Sequence, residues 1–411
     1  MGLTKVEVRR IGSDMQGAHR ARINSIDLLR GIVIVLMVLD HVRMYFGQGS
    51  WYSNPTDLAT TTPLLFLTRW ITHFSAPIFI FLAGTSAFLY GSRRQLKAWQ
   101  LSRYLFTRGV WLIFVELVIV NFGWTFDIHF SFHLIQVIWA IGVSMVVLSI
   151  LVYLPIWAIF AIGIILVGGH NLLDPIHMEG TSELALIWYL LHQNQIVALS
   201  HASSIYFHYP LISLVGLMAL GYVFGTLYQP EFCTERRKKW LLWMGTIAIL
   251  LFLILRSLNL YGEPNPWSIQ PTLVNSILSF LNTTKYPASL HYLLMTMGPA
   301  LLFLALAEGG KDRGISGIIL TFGGVPFFFY IVHIYLIHFL ALVALVISGR
   351  SWTDYVVTSE AFTNQTTANF GFPLYVVYMI SALVVIGMYP LCIWYRAYKK
   401  RHPEKRMLAY I

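Results

Sequence analysis

Arg30, Asp40 and His41 fall within one apolar run, and their spacing is the first sign of chemistry in this 411-residue chain. Ten residues separate Arg30 from His41. On a helix, eleven steps of about 100° bring His41 back to within about 20° of Arg30, roughly 16 Å further along the axis. Ionisable side chains inside a membrane span are costly and mark function by default. A neutral imidazole suits general-base work near neutral pH. Asp40 beside it would raise its basicity, and burial would lower it. Consecutive helical residues point in different directions, so Asp40 has Arg43 or Arg69 as alternative partners, and the cluster then reads as a knot that pins the helix. Arg30 follows Asp27 by three positions. It is either a cation for a phosphate-bearing ligand or half of an i,i+3 pair that sets the helix start.

Other residues could join this chemistry. Arg69 and His73 share a helix face, and Pro77 beyond them should kink the helix. Glu116 and Gln136 stand inside apolar runs and need a partner or a wet cavity. Gly323-Gly324-Val325-Pro326 should break a span just before Tyr330 and His333, an arrangement suited to ligand binding. His338 is five residues from His333, so the two share no face and make a poor metal pair. Arg256, Tyr261, Glu263, Lys285 and Tyr286 cluster in two loops beside Trp267. They offer the aromatic faces and hydrogen bonds a sugar uses, or they form an ordinary interfacial belt. His129, His133, His170, His177, His192, His201 and His208 fall in or near loops with no evident carboxylate or cysteine to complete a metal set, so no metal is expected. Gly84 and Gly221-x-x-x-Gly225 read as close helix packing.

The elements that must position these residues are membrane helices. The chain is 57% hydrophobic and 11% charged, with mean hydropathy +0.66; a soluble domain carries about 25% charge. Apolar runs of about 20 residues predict ten spans: 26–46, 63–90, 104–122, 132–152, 154–169, 210–228, 240–257, 289–307, 318–347 and 373–396. The run 183–200 reads as a re-entrant or interfacial helix, or an eleventh span. The first run lacks a small-residue cleavage site and reads as a retained anchor. With the N-terminus inside, 22 of the 28 Lys and Arg fall in inside segments, which fits the positive-inside rule and predicts N-in, C-in. The net charge of +10 then reports topology and not nucleic-acid binding. The fold class expected is an all-α polytopic bundle: a single membrane domain over 26–396 between basic tails at 1–25 and 397–411.

Three segments carry a family resemblance: Ser25-Ile-Asp-Leu-Leu-Arg-Gly-Ile, His73-Phe-Ser-Ala-Pro-Ile-Phe-Ile-Phe-Leu-Ala-Gly-Thr-Ser and Gly324-Val-Pro-Phe-Phe-Phe-Tyr-Ile-Val-His. The chain resembles bacterial relatives of the heparan-α-glucosaminide N-acetyltransferase catalytic domain. Its first span also resembles the broader acyltransferase family three, in which the matching arginine and histidine are implicated in acyl transfer. The heparan-type enzymes carry a histidine in the loop after span one; loop 47–62 here has none, which moves the expectation to His41, with His73 second. The resemblance implies an inner-membrane acyltransferase taking an acetyl group from cytoplasmic acetyl-CoA to a hydroxyl or amine of an extracytoplasmic sugar or glycan. In that reading His41, Asp40 and His73 are catalytic, and a transient acyl-imidazole is the variant mechanism. Arg30, Asp27, His333 and Tyr330 hold the donor; Arg69, Arg256, Tyr261, Glu263, Lys285 and Tyr286 hold the acceptor. The bilayer and a homodimer are the other partners considered. The alternative is a proton-coupled transporter using Asp40, His41, Glu116 and His333 as a relay.

Overall fold

The computed structural model describes residues 23–200, 202–310, 314–402 and 404–405. Most of the expected basic tails, part of the 307–317 segment and His201 lie outside the described residues. Helix α1, Asn24–Phe46, is 23 residues long, with Asp27 in its first turn and Arg43 in its last. Both signs suit the helix dipole. The second apolar run forms α2, Pro63–Thr72, and α3, Ser75–Arg93. The break falls at His73, upstream of Pro77. Proline lacks an N–H and its ring clashes with the carbonyl four residues back, which here is that of His73. The freed carbonyl accepts the Tyr292 hydroxyl at 2.7 Å.

The chain continues through α4, Ala98–Val115, a π-helical turn at Glu116–Val120, and α5, Asn121–Thr125. Strand β1, Phe132–Ile135, precedes α6, Val137–Leu151, and α7, Ile156–Gly169. Then come α8, Glu183–Leu191, strands β2, Gln195–Ser200, and β3, Ser203–Phe207, and α9, Ile212–Phe224. Helices α10, Thr234–Leu258, α11, Leu273–Leu281, and α12, Leu290–Ala307, follow. Helix α13, Ile315–Gly323, breaks at the expected glycines, and α14, Pro326–Ile347, restarts with Pro326 in its first turn, where no N–H is needed. A short α15, Ser359–Thr363, precedes α16, Leu374–Arg401.

The described residues are mostly helical, at 69%. Among the described residues, seven helices are long and apolar enough to cross a membrane. The runs expected at 132–152 and 210–228 fall short of that length, with α6 and α9 at 15 and 13 residues. Helix α1 is long enough but carries Asp27, Arg30, Asp40 and Arg43. The all-α expectation needs one correction. A three-stranded sheet of order β1-β3-β2 is present, with β3 parallel to β1 and antiparallel to β2. Residues 183–200 are therefore α8 followed by a strand, and Gln136 sits just before α6 and not inside it. The Asn121 amide acts as a partner for β1, donating to the Phe132 carbonyl at 3.2 Å and accepting from the Leu134 N–H at 2.8 Å.

Helix α1 is central, in contact with α2, α3, α12, α13, α14 and α16. Helices α7, α10 and α16 instead expose large apolar side chains such as Trp157, Trp243 and Ile386, faces suited to lipid. Two close crossings depend on glycine. A Cβ on Gly221 would collide with the Phe81 carbonyl of α3, and one on Gly323 with the Asp27 carbonyl of α1. Gly221→Val should therefore destabilise the protein by about 1–3 kcal/mol. Thermal melting in detergent would show it as a lowered midpoint, and an unchanged midpoint would contradict the packing.

Candidate functional site

Two cavities lie along α1. The smaller, of about 320 Å³, is lined by Arg30 and Met37 of α1, Ser86 and Tyr90 of α3, Tyr104 and Arg108 of α4, and Pro326, Phe327 and Tyr330 of α14. Its remaining walls are largely apolar: Phe79, Leu82, Leu112, Ile138 and Ile141. Arg30 makes the i,i+3 pair its position allowed and reaches one further side chain. It pairs with Asp27 at 2.8 Å, donates to the Ser86 hydroxyl at 3.0 Å, and still borders this cavity. Asp27 is not in the cavity wall; it holds Arg30 in place.

The larger cavity, of about 1100 Å³, opens at the other end of α1. Asp40, His41, Arg69, His73, Trp124, Gln136, Lys285 and Tyr286 line it. The sheet supplies Leu134, Ile196 and Tyr206, and loop 47–62 supplies Trp51, Tyr52, Asn54 and Asp57. Asp40 does not hydrogen-bond to His41. One of its oxygens meets Arg43 at 3.0 Å and the other meets Arg69. Arg43 is 3% exposed, while Asp40 and Arg69 face the cavity.

The group that holds His41 is His333. His41 Nδ1 lies 2.8 Å from His333 Nε2, and His333 Nδ1 lies 2.8 Å from the Phe329 carbonyl oxygen. A carbonyl can only accept, so His333 donates from Nδ1. A neutral His333 must then accept at Nε2, and His41 must donate from its Nδ1. The His41 Nε2 lone pair is left for other work. Its ring packs edge-on against Trp124 with centroids 4.8 Å apart. Tyr330, in the wall of the smaller cavity, has its ring 6.1 Å from His41, in the wall of the larger. The two cavities approach each other at this pair.

The expected residues divide accordingly. His41, Asp40, His73, Arg69, Lys285 and Tyr286 come together around the larger cavity; Arg30 and Tyr330 border the smaller. His333 is fully buried and lines neither. Three residues expected to meet an acceptor, Arg256 at the end of α10 and two in the loop after it, are structural instead. Arg256, 1% exposed, spends its donors on the carbonyls of Phe280, Asn265, Ser279 and Asn282. Glu263 accepts from the Thr284 N–H and hydroxyl and from the Ser289 hydroxyl. The Tyr261 hydroxyl donates to the Gly168 carbonyl at 2.5 Å. Together they fold the loops that present Lys285 and Tyr286. Glu116, fully buried, accepts from the Trp139 N–H at 3.2 Å and also lies outside both cavities.

Burial, then the positive Arg69 nearby, push the Lys285 ammonium well below its usual value. His208, also in the cavity wall, is pushed down by burial and then by Lys285 and Arg69. The larger cavity is thus a chamber of aromatic, amide and imidazole groups around the Asp40–Arg69 ion pair. Trp51, Asn54, Trp124 and Tyr206 were not singled out in the sequence, because nothing in their spacing ties them to α1.

Residues 22–261 match the family model for heparan-alpha-glucosaminide N-acetyltransferase, catalytic. The matched stretch includes Arg30, Asp40, His41, Arg69, His73 and Trp124, and ends before Lys285, Tyr330 and His333. No curated protein matches the chain.

Removing the carboxylate charge tests the ion pair. Asp40→Asn leaves two guanidiniums buried without their counter-ion, and should cost about 3 kcal/mol. Melting in detergent should show a clear loss relative to the wild type. An unchanged midpoint would mean that Arg43 and Arg69 are stabilised by other groups.

Proposed function

The chain belongs to the heparan-alpha-glucosaminide N-acetyltransferase catalytic family, whose members are membrane acetyltransferases, and from that premise we propose a reaction that runs along α1. Acetyl-CoA enters the smaller cavity, with its phosphates toward Arg30 and Arg108 and its pantetheine along the apolar walls toward Tyr330. The acceptor, a sugar or glycan hydroxyl or amine, occupies the larger cavity. The observation that carries this reading is the approach of the two cavities at Tyr330 and His41. Their linings differ as the two substrates would: apolar with cationic side chains for a thioester arm with an anionic head, and aromatic with amides for a sugar.

His41 Nε2 takes the proton from the acceptor as its oxygen or nitrogen attacks the thioester carbonyl. The carbon–sulfur bond then breaks, and the imidazolium returns the proton to the departing sulfur. His333 acts as a positioning residue that fixes the His41 tautomer. Arg69, Lys285 and Tyr286 are placed to contact the acceptor, and His73 lies in the same wall. Asp40 acts through the arginines and not on His41.

The smaller cavity is assigned to the cytoplasmic side. Ser25, Arg237 and Glu308 meet at one end of the bundle, with the Ser25 hydroxyl on Glu308 at 2.6 Å and Arg237 Nε on Glu308 at 2.8 Å. This groups the starts of α1 and α10 with the end of α12, as the distribution of Lys and Arg requires. The chain is then a single membrane domain over 26–396 with both ends inside, in a bacterial inner membrane.

Calorimetry of purified protein in detergent with acetyl-CoA tests the donor site. Wild type should bind saturably. Arg30→Ala should bind about 10- to 100-fold more weakly, the worth of a charge-assisted hydrogen bond. His41→Ala should keep the affinity but lose transfer to a soluble amino sugar by about 100-fold or more. No binding by folded wild type would overturn the donor assignment and reopen the proton-relay reading.

His333→Phe removes the acceptor that holds His41. It should lower kcat about tenfold or more, leave KM for acetyl-CoA unchanged, and alter the pH profile of kcat. A parallel loss of donor affinity would instead place His333 in the donor site.

A further inference from the structure

We propose that His170, Asp174 and His192 form a binding site for a divalent transition metal of the zinc class, separate from both cavities. His170 opens a 3-10 turn after α7, Asp174 follows it at once, and His192 caps the end of α8. One nitrogen from each ring and one carboxylate oxygen lie within 4.8 Å of one another. Among the described residues this is the one such group of three potential ligands. None of the three lines either cavity.

The second observation is an unmet need. His170 is 2% exposed, yet neither of its ring nitrogens has a hydrogen-bond partner, and His192 Nδ1 has none either. Buried polar atoms are seldom left so. The His170 ring faces His192, with centroids 5.5 Å apart. Asp174 is already oriented: Oδ1 meets His192 Nε2 at 2.9 Å, and Oδ2 accepts from the Asn171 amide at 2.8 Å. The Asn171 side-chain Oδ1 in turn accepts from the Leu290 N–H at 3.0 Å, at the start of α12. Carboxylate and amide contacts of this kind orient ligands around metals.

The donor set selects the metal class. Two imidazoles and one carboxylate suit zinc and its first-row neighbours, with a fourth place for water. Calcium and magnesium require more oxygen ligands, and no thiolate is present for copper(I). The site lies where a clamp would matter. Asn194, two residues after His192, lines the larger cavity, and Leu290 follows the loop that presents Lys285 and Tyr286. A bound ion would tie the ends of α7 and α8 together and fix one wall of that chamber.

The test uses the full chain in detergent, with any affinity tag removed and metals stripped by chelator. Titration with cobalt(II) should produce protein-dependent visible absorption bands that stoichiometric zinc abolishes. Zinc should stay with the wild type through dialysis and raise its melting midpoint. His170→Ala and Asp174→Asn should lose the bands and the zinc, while His177→Ala, an exposed histidine of the same loop, should keep both. If the wild type gives no cobalt bands and retains no more zinc than His170→Ala, the site is a hydrogen-bonded His–Asp pair and the proposal fails. Bands that survive in both site variants but vanish in His177→Ala would overturn it equally.

Discussion

The structure depends on placing a charged helix at the centre of an apolar bundle. Helix α1 carries Asp27, Arg30, Asp40 and Arg43, and an unpaired charge there would be prohibitive. The solution is the same at both ends: an acid followed three residues later by a base, Asp27 with Arg30 and Asp40 with Arg43. The helix is neutral by its own i,i+3 pairs. Arg69 joins the second pair from α2, which ties α2 to α1 through charge. This pairing also decides what His41 can do. With both oxygens of Asp40 engaged, His41 has no carboxylate and is held by an uncharged ring instead. The bond to His333 fixes the tautomer and leaves the Nε2 lone pair, without the added basicity a carboxylate partner would bring.

The second dependence is on breaks in helices. Pro77 interrupts the second apolar run at His73, and the freed His73 carbonyl binds Tyr292 on α12. That bond joins α2 and α12 beside the larger cavity. Gly323 and Gly324 end α13, and Pro326 starts α14. The absence of a side chain at Gly323 lets α13 lie against the Asp27 backbone, and the restart puts Pro326, Phe327 and Tyr330 in the wall of the smaller cavity. Three helical turns later the same helix places His338 between the carbonyls of Gly123 and Tyr355, at 2.9 Å from each. His333 and His338 thus serve different neighbours, as their five-residue spacing implied.

What could be read from the sequence was whatever local spacing determines. The Arg30–His41 stripe, the Asp40 alternatives, the break at Gly323-Gly324 and the glycine crossings all depend on helix geometry over short distances. What could not be read depends on contacts between distant segments. His333 was visible as a buried imidazole, but its partner lies 292 residues away. The sheet is not legible locally because β1 begins an apolar run that continues as α6, and β2 resumes the apolar character of α8 after a short polar turn, so that 183–200 reads as one interrupted helix; only their pairing with β3 makes them strands. Arg256 and Glu263 looked like surface groups for a ligand because their four carbonyl and two hydroxyl partners come from residues 265–289. Asp174 stands four residues after His170, but nothing in the local spacing ties either of them to His192, whose Nε2 meets Asp174 from 18 residues further on.

The proposed reaction gains from having two unequal chambers along α1. A thioester must be kept from water until its acceptor arrives, and an apolar shaft does that by excluding solvent. A sugar must instead be met by polar and aromatic groups, which would be costly in a dry channel. One chamber cannot satisfy both needs. Separating them along α1 does, provided that the partition between them is thin. Here it consists of side chains, with Tyr330 on one side and His41 on the other, their rings 6.1 Å apart. The acyl group then needs to travel only the distance of a reaction coordinate, while the fold accounts for the rest of the membrane.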